Sequence, residues 1–176
     1  IARNCKYIEL NAIKLLLALT ISLALSACGS NPVKSLNVEG SIEATSILNP
    51  DINGGYKPVN VKVYYLNSDS EFSHANFTDL YKHTDKVLGS SILHISSHQL
   101  RPGQTLEIEE QVSSDLKYIG VVAAFRNIQD AKWKTIKAIP EKCFFCTGPG
   151  LWDPVTITID RLTVKLDLGN EPDEEA

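Results

Sequence analysis

Cys143-Phe144-Phe145-Cys146 is the grouping in this sequence best suited to chemistry. Two thiols at this spacing can help hold a metal, cycle as a redox couple or close into a disulfide. A zinc site needs four ligands, usually from a second pair. The other cysteines, Cys5 and Cys28, belong to the N-terminal segment and supply no such pair. A thioredoxin-type couple should open a helix in a βαβ setting, but Thr147-Gly148-Pro149-Gly150 follows and breaks helices. A disulfide between Cys143 and Cys146 in an oxidising compartment is therefore the preferred reading, with redox use and metal or free thiols as alternatives. So short a loop removes little chain entropy, so the bond would shape a local turn more than stabilise the fold.

The other candidates are weaker. His94 and His98 are four apart. On a helix that spacing could hold a metal, but Ile92 to Ser96 reads as strand, where positions i and i+4 lie well apart. Structural histidines follow, and no metal is expected. There is no Gly-x-Ser-x-Gly elbow. Gly54-Gly55 lacks the Lys and helix of a phosphate loop. No catalytic constellation emerges, and no cofactor or small-molecule substrate is implied.

The elements that must carry these residues fit one domain. The chain has 176 residues, 43% hydrophobic and 22% charged, with net charge −4. That suits a single hydrophobic core rather than a disordered chain. Its acidity speaks against a nucleic-acid binder held by phosphate contacts.

Residues 1–27 read as a signal peptide. Arg3, Lys6 and Lys14 precede the apolar run Leu15 to Leu25, which is 11 residues long. A spanning helix needs roughly 20 residues, so the run matches the hydrophobic region of a secretory signal instead. Leu25-Ser26-Ala27-Cys28 follows at once and resembles a bacterial lipobox. By that resemblance Cys28 becomes the acylated first residue, and Gly29, in place of the Asp of inner-membrane retention, sends the protein to the outer membrane. Two or more acyl chains give stable anchoring. The alternative is an ordinary signal peptide with a chance Cys. Residues 28–35 would form a short lipidated tether, 36–170 the folded domain and 171–176 an acidic, solvated tail.

The domain reads as mostly strand. Leu36 to Ala44 alternates apolar and polar residues, the period of a half-buried strand. Val59 to Leu66 is β-branched and aromatic. Thr105 to Val112, Lys132 to Ala138, Val155 to Ile159 and Leu162 to Leu166 also alternate, the last two flanking the turn Asp160-Arg161. Tyr118 to Phe125 is nearly all apolar, which predicts a central strand buried on both faces. Glu71 to Lys82 departs from this period and predicts a short helix, capped by Ser70, with an aromatic stripe packed on a sheet. About eight short strands with turns between them suggest a two-sheet β-sandwich.

In this order Leu48-Asn49-Pro50-Asp51, Pro58 to Leu66, Phe72 to Leu80-Tyr81, Leu88-Gly89, Leu100-Arg101-Pro102-Gly103, Tyr118 to Arg126 and Trp133, behind a lipobox, resemble the outer-membrane lipoprotein of the type VI secretion system, the TssJ family. The resemblance spans roughly Leu36 to Leu168. It implies an all-β, transthyretin-like two-sheet β-sandwich with a small helical addition, and no enzyme. It implies an anchor for the secretion membrane complex that binds the periplasmic C-terminal region of the inner-membrane component, the TssM family. The family's main contact is the loop between the first two strands, here Asn49, Pro50, Asp51, Ile52, Asn53, Gly54, Gly55, Tyr56 and Lys57. Cys143 to Gly150 is not part of the shared pattern.

The residues of that loop agree with such a role. Pro50, Asn53, Gly54 and Gly55 set turns. Ile52 and Tyr56 are its large apolar residues, available as a hot spot. The bland alternative is a long hairpin tip. Two other functions stay open: a glycan- or peptidoglycan-binding lipoprotein using Trp133 and Trp152, or a periplasmic thiol-disulfide protein using Cys143 and Cys146.

Overall fold

The structure, a computed structural model, describes residues 35–139 and 154–169. Eight strands lie among them: β1 (Ser35–Ala44), β2 (Val59–Leu66), β3 (Ile92–Leu100), β4 (Thr105–Ser113), β5 (Tyr118–Ala123), β6 (Lys134–Ala138), β7 (Val155–Asp160) and β8 (Thr163–Asp167). They form two four-stranded sheets, ordered β4-β1-β7-β8 and β3-β2-β5-β6. All pairings are antiparallel except β1 with β7, which run parallel.

Alternation explains how the sheets meet. Val38 and Ile42 of β1 point inward with Ile108 and Val112 of β4 and with Ile157 and Ile159 of β7. Val61, Val63 and Tyr65 of β2 and Ile119, Val121 and Ala123 of β5 complete the same core. One side of the sandwich is latched: Lys132 N donates to Leu162 O at 2.9 Å, and Val164 N donates to Lys132 O at 3.0 Å. Together these observations establish the two-sheet β-sandwich with a helical addition.

The helical addition covers the outer face of the second sheet, so β5 is buried on both faces as its sequence predicts. The region is not one helix. It comprises α1 (Ser70–His74), α2 (Phe77–Lys82), α3 (Thr84–Leu88) and a 3₁₀ turn (Gly89–Ser91). Ala75 is extended, with ψ 144°, which ends α1, and the Asn76 side chain then caps α2 by accepting from Asp79 N at 3.0 Å. Ser70 is the first helical residue rather than the cap. Capping by an Asn three residues before an Asp restarts the chain as a new helix.

Phe72, Leu80 and Leu88 from these helices pack on Tyr64, Leu66 and Val122. Tyr64 stands edge-on to Phe72, with ring centres 5.3 Å apart, and its hydroxyl donates to Leu80 O at 2.7 Å. Burial pushes the Tyr64 phenol up to about 12. Phe77 stacks on Tyr81 and meets Trp133 edge-on. The aromatic stripe is thus packing on the sheet.

Candidate functional site

The β1–β2 loop is built from tight turn chemistry. Pro50 and Tyr56 form an isolated antiparallel bridge, and Asp51 N donates to Gly55 O at 2.6 Å. Gly54 N returns a bond to Asp51 O at 3.0 Å, with Gly54 at φ 83°, a value glycine takes without strain. The Asp51 carboxylate accepts from Ile52 N at 2.8 Å and stands 3.7 Å from Lys57 Nζ. The tip is therefore held in one shape before any partner arrives, which lowers the ordering cost of binding.

That rigid tip holds its apolar residues in water. Ile52 is 97% exposed and Tyr56 47%. The third exposed large hydrophobic residue among those described is Ile47, at 38%, in the same connection. Exposed apolar residues grouped in this way gain nothing for the fold from their contact with water. Asn49 differs from its neighbours. It is 1% exposed and faces inward, donating from Nδ2 to Pro58 O at 2.9 Å and accepting at Oδ1 from Arg126 N at 3.0 Å. Within the loop Asn49 is a positioning residue, closed to a partner by its neighbours.

Topology adds what a linear reading misses. The connections β1–β2, β3–β4, β5–β6 and β7–β8 all emerge at one end of the sandwich, because Glu43 faces Thr105, Val59 faces Leu100, Val61 faces Ala123 and Ala44 runs beside Ile159. Ile47, Arg101, Arg126 and Arg161 share this end with Ile52 and Tyr56. The alternation of strands carried that signal, but only once the pairing partners were known.

The other candidate residues lie elsewhere. His94 and His98 share the inner face of β3 with Ser96. His94 Nε2 lies 3.0 Å from Glu110 Oε2 of β4, and His98 Nε2 lies 3.1 Å from Ser96 Oγ. Among the described residues no three His, Cys, Asp or Glu side chains come together to hold a metal. Trp133 is half-buried against both cores. A depression of about 460 Å³ beside the helices is lined by Lys62, Tyr81, His83, Thr84, Lys86 and Ile95, without Trp133. Cys28, Cys143, Cys146, Trp152 and the segments 1–34 and 171–176 lie outside the described residues. No described helix is long and apolar enough to cross a membrane.

The sequence model of the family T6SS-SciN, described as type VI secretion lipoprotein, VasD, EvfM, TssJ, matches residues 36–168. The chain belongs to this family. Its fold is similar to that of the T6SS lipoprotein TssJ1 from Pseudomonas aeruginosa, with TM-score 0.68 and 24% identity, covering 79% of this chain and all of the other. It is also similar to Serratia marcescens Lip, a membrane-bound component of the type VI secretion system, with TM-score 0.67 and 25% identity over 78% of this chain and all of Lip. A chain in the structure of the T6SS protein TssM C-terminal domain from EAEC shares the fold at TM-score 0.57 and 18% identity, covering 74% of this chain and 97% of that one. The chain matches none of the curated proteins.

Proposed function

We propose that this type VI secretion lipoprotein anchors the secretion membrane complex at the outer membrane by presenting its β1–β2 loop to the periplasmic C-terminal region of the TssM-type component. One observation carries the assignment of the surface: the exposed large apolar residues among those described all stand in this loop. Family membership, and the same fold found in a TssM C-terminal domain structure, support the partner. Cys28 is the acylated residue that holds the protein to the membrane, facing the periplasm. Cys143 and Cys146 pair as a structural disulfide. The protein acts by binding and catalyses no reaction.

Binding of the full chain to a TssM-type periplasmic region, measured by calorimetry, tests this reading. Burying one such side chain contributes roughly 1.5–3 kcal/mol. Ile52→Ala with Tyr56→Ala is therefore expected to weaken binding at least tenfold while the melting midpoint moves little. Unchanged affinity would place the interface elsewhere. Cys28→Ser is expected to move the protein from outer-membrane fractions to soluble periplasm; retention with palmitate labelling would overturn the lipid assignment. Replacing Cys143 and Cys146 with Ser should leave affinity intact, and free thiols under non-reducing alkylation would contradict the bond.

A further inference from the structure

We infer that Arg101, Arg126 and Arg161 form a cationic rim around the loop tip and recognise acidic side chains on the partner surface that receives Ile52 and Tyr56. This inference rests on the proposed interface with the TssM-type component. The three arginines are those of the described residues, and each occupies a different connection at the loop end: Arg101 after β3, Arg126 after β5 and Arg161 after β7. All three are exposed. Three arginines gathered by topology beside the exposed apolar residues give the composition of a binding hot spot, rich in Arg and Tyr.

Their charge is open to a partner. Among the described residues Arg101 and Arg161 make no ion pair, and Arg126 Nη2 reaches Asp51 only at 4.0 Å. The acids nearby are engaged. Asp51 is shared with Lys57 and Ile52 N, Asp130 accepts from Asn127 Nδ2, and Asp160 accepts from Thr45 Oγ1. Asp130 and Asp160 are bonded by neutral donors and keep their charge, so the cations at this end are Arg101, Arg126, Arg161 and Lys57 against Asp51, Asp130 and Asp160, a local balance more positive than the chain's net charge of −4.

Arg161 adds an independent argument. Its φ is 43°, in the left-handed region that Gly or Asn enters at lower cost. The Arg161 carbonyl accepts from Asn49 N at 2.8 Å, a backbone contact any residue could make. Among the described residues the exposed Arg161 guanidinium makes no ion pair, so it is free to meet a partner.

The opposite sign covers the outer face of the first sheet. Glu39 stands directly across from Glu109, an arrangement of like charges that opposes strand pairing. Glu43 and Glu107 share that face. An acidic partner is repelled by it and drawn to the loop end, which orients the encounter before contact.

Association of the full chain in detergent with a TssM-type periplasmic region, followed by stopped-flow at low and high salt, tests the rim. Arg101→Gln, Arg126→Gln and Arg161→Asn together should slow association by about tenfold and flatten its salt dependence. The melting midpoint should hold, and Arg161→Asn alone should not lower it. Ile52→Ala with Tyr56→Ala serves as the comparison, acting on dissociation. Unchanged association in the arginine variant alongside weakened binding in the apolar variant overturns the rim and leaves the interface standing. Faster association in the arginine variant would mean a basic partner surface and also overturns it. No effect from either variant, or no binding by the unaltered chain, overturns both.

Discussion

Asn49 Oδ1 accepts a hydrogen bond from Arg126 N at 3.0 Å and so joins the β1–β2 loop to the β5–β6 connection. The same residue donates to Pro58 O through Nδ2 and to Arg161 O through its backbone, at 2.9 and 2.8 Å. One buried side chain and its amide thus tie three connections beneath the exposed tip. Its φ of 48° is one that Asn tolerates.

Asn49→Ala removes the acceptor of Arg126 N and the donor to Pro58 O without removing their need for partners. Leaving a buried polar group unpaired costs about 1–3 kcal/mol. Urea unfolding is expected to register a loss of that size. Affinity for a TssM-type region should fall too, because the tip loses its fixed base. Asn49→Asp, which keeps the acceptor for Arg126 N but sets a buried carboxylate oxygen against Pro58 O, should cost at least as much as Asn49→Ala. A variant as stable as the parent would mean that the loop stands without this tie.

Gly120 sets the distance between β5 and the helices. A Cβ there would meet Phe72 Cζ at 2.7 Å and Cε2 at 2.8 Å. Phe72 is fully buried and packed edge-on against Tyr64, so its ring has little room to yield. Overpacking of this kind costs typically 1–3 kcal/mol. Gly120→Ala should therefore destabilise the domain, and Phe72→Leu in the same chain should recover part of the loss. Thermal unfolding of the two single variants and the double variant checks the coupling; additive losses would mean that the Gly120→Ala cost does not arise from contact with Phe72.

Local period made much of this fold legible. Val59 to Leu66 and Tyr118 to Ala123 are strands where alternation and unbroken apolar character predict them, and the second lies between two cores because its residues offer no polar face. The division of the helical region was not legible. It turns on Ala75 taking an extended conformation and on one hydrogen bond from Asp79 N to Asn76, neither of which alters hydrophobic spacing. In the candidate site, the exposed Ile52 and Tyr56 could be read from their turn-rich surroundings. The inward turn of Asn49 could not, because its partners Arg126 and Arg161 are distant in sequence and meet it only through the order of the strands.

Lys134 fastens the first helix to the sheet. Its ammonium donates to Phe72 O at 3.1 Å, Ser73 O at 2.8 Å and Ala75 O at 2.8 Å, and it lies 5.2 Å from the Trp133 ring centre. These carbonyls close a helix of five residues, too short to stand by its own hydrogen bonds. Burial lowers the Lys134 pKa from its ordinary value. Lys134→Met keeps the apolar stem and removes the donors. The expected loss is roughly 1–3 kcal/mol, the scale of bonds from a charged donor. Hydrogen exchange should show the amides of Ser70–His74 opening first. Uniform loss of protection across both sheets would argue against so local a role.

His98 makes the domain sensitive to mild acid. It faces inward on β3, where Ser96 Oγ lies 3.1 Å from its Nε2, and burial lowers its pKa below the ordinary 6.5. The Glu110 carboxylate of β4 pulls in the opposite direction without prevailing. That carboxylate is also 3.0 Å from His94, whose ring lies 5.6 Å from the buried Tyr65 of β2. Above about pH 6.5 the folded and unfolded chains both hold His98 neutral, and stability does not depend on it. As pH falls below that value the unfolded chain takes up the proton first, so stability declines until the lower folded pKa is passed. Urea midpoints at pH 7.5 and 5.5 are expected to differ more for the parent chain than for His98→Gln, which removes the titrating group and keeps a polar partner for Ser96. His94→Gln, measured beside it, separates the Glu110 pair from this effect. Equal pH dependence in parent and His98→Gln chains would mean that the acid sensitivity arises elsewhere.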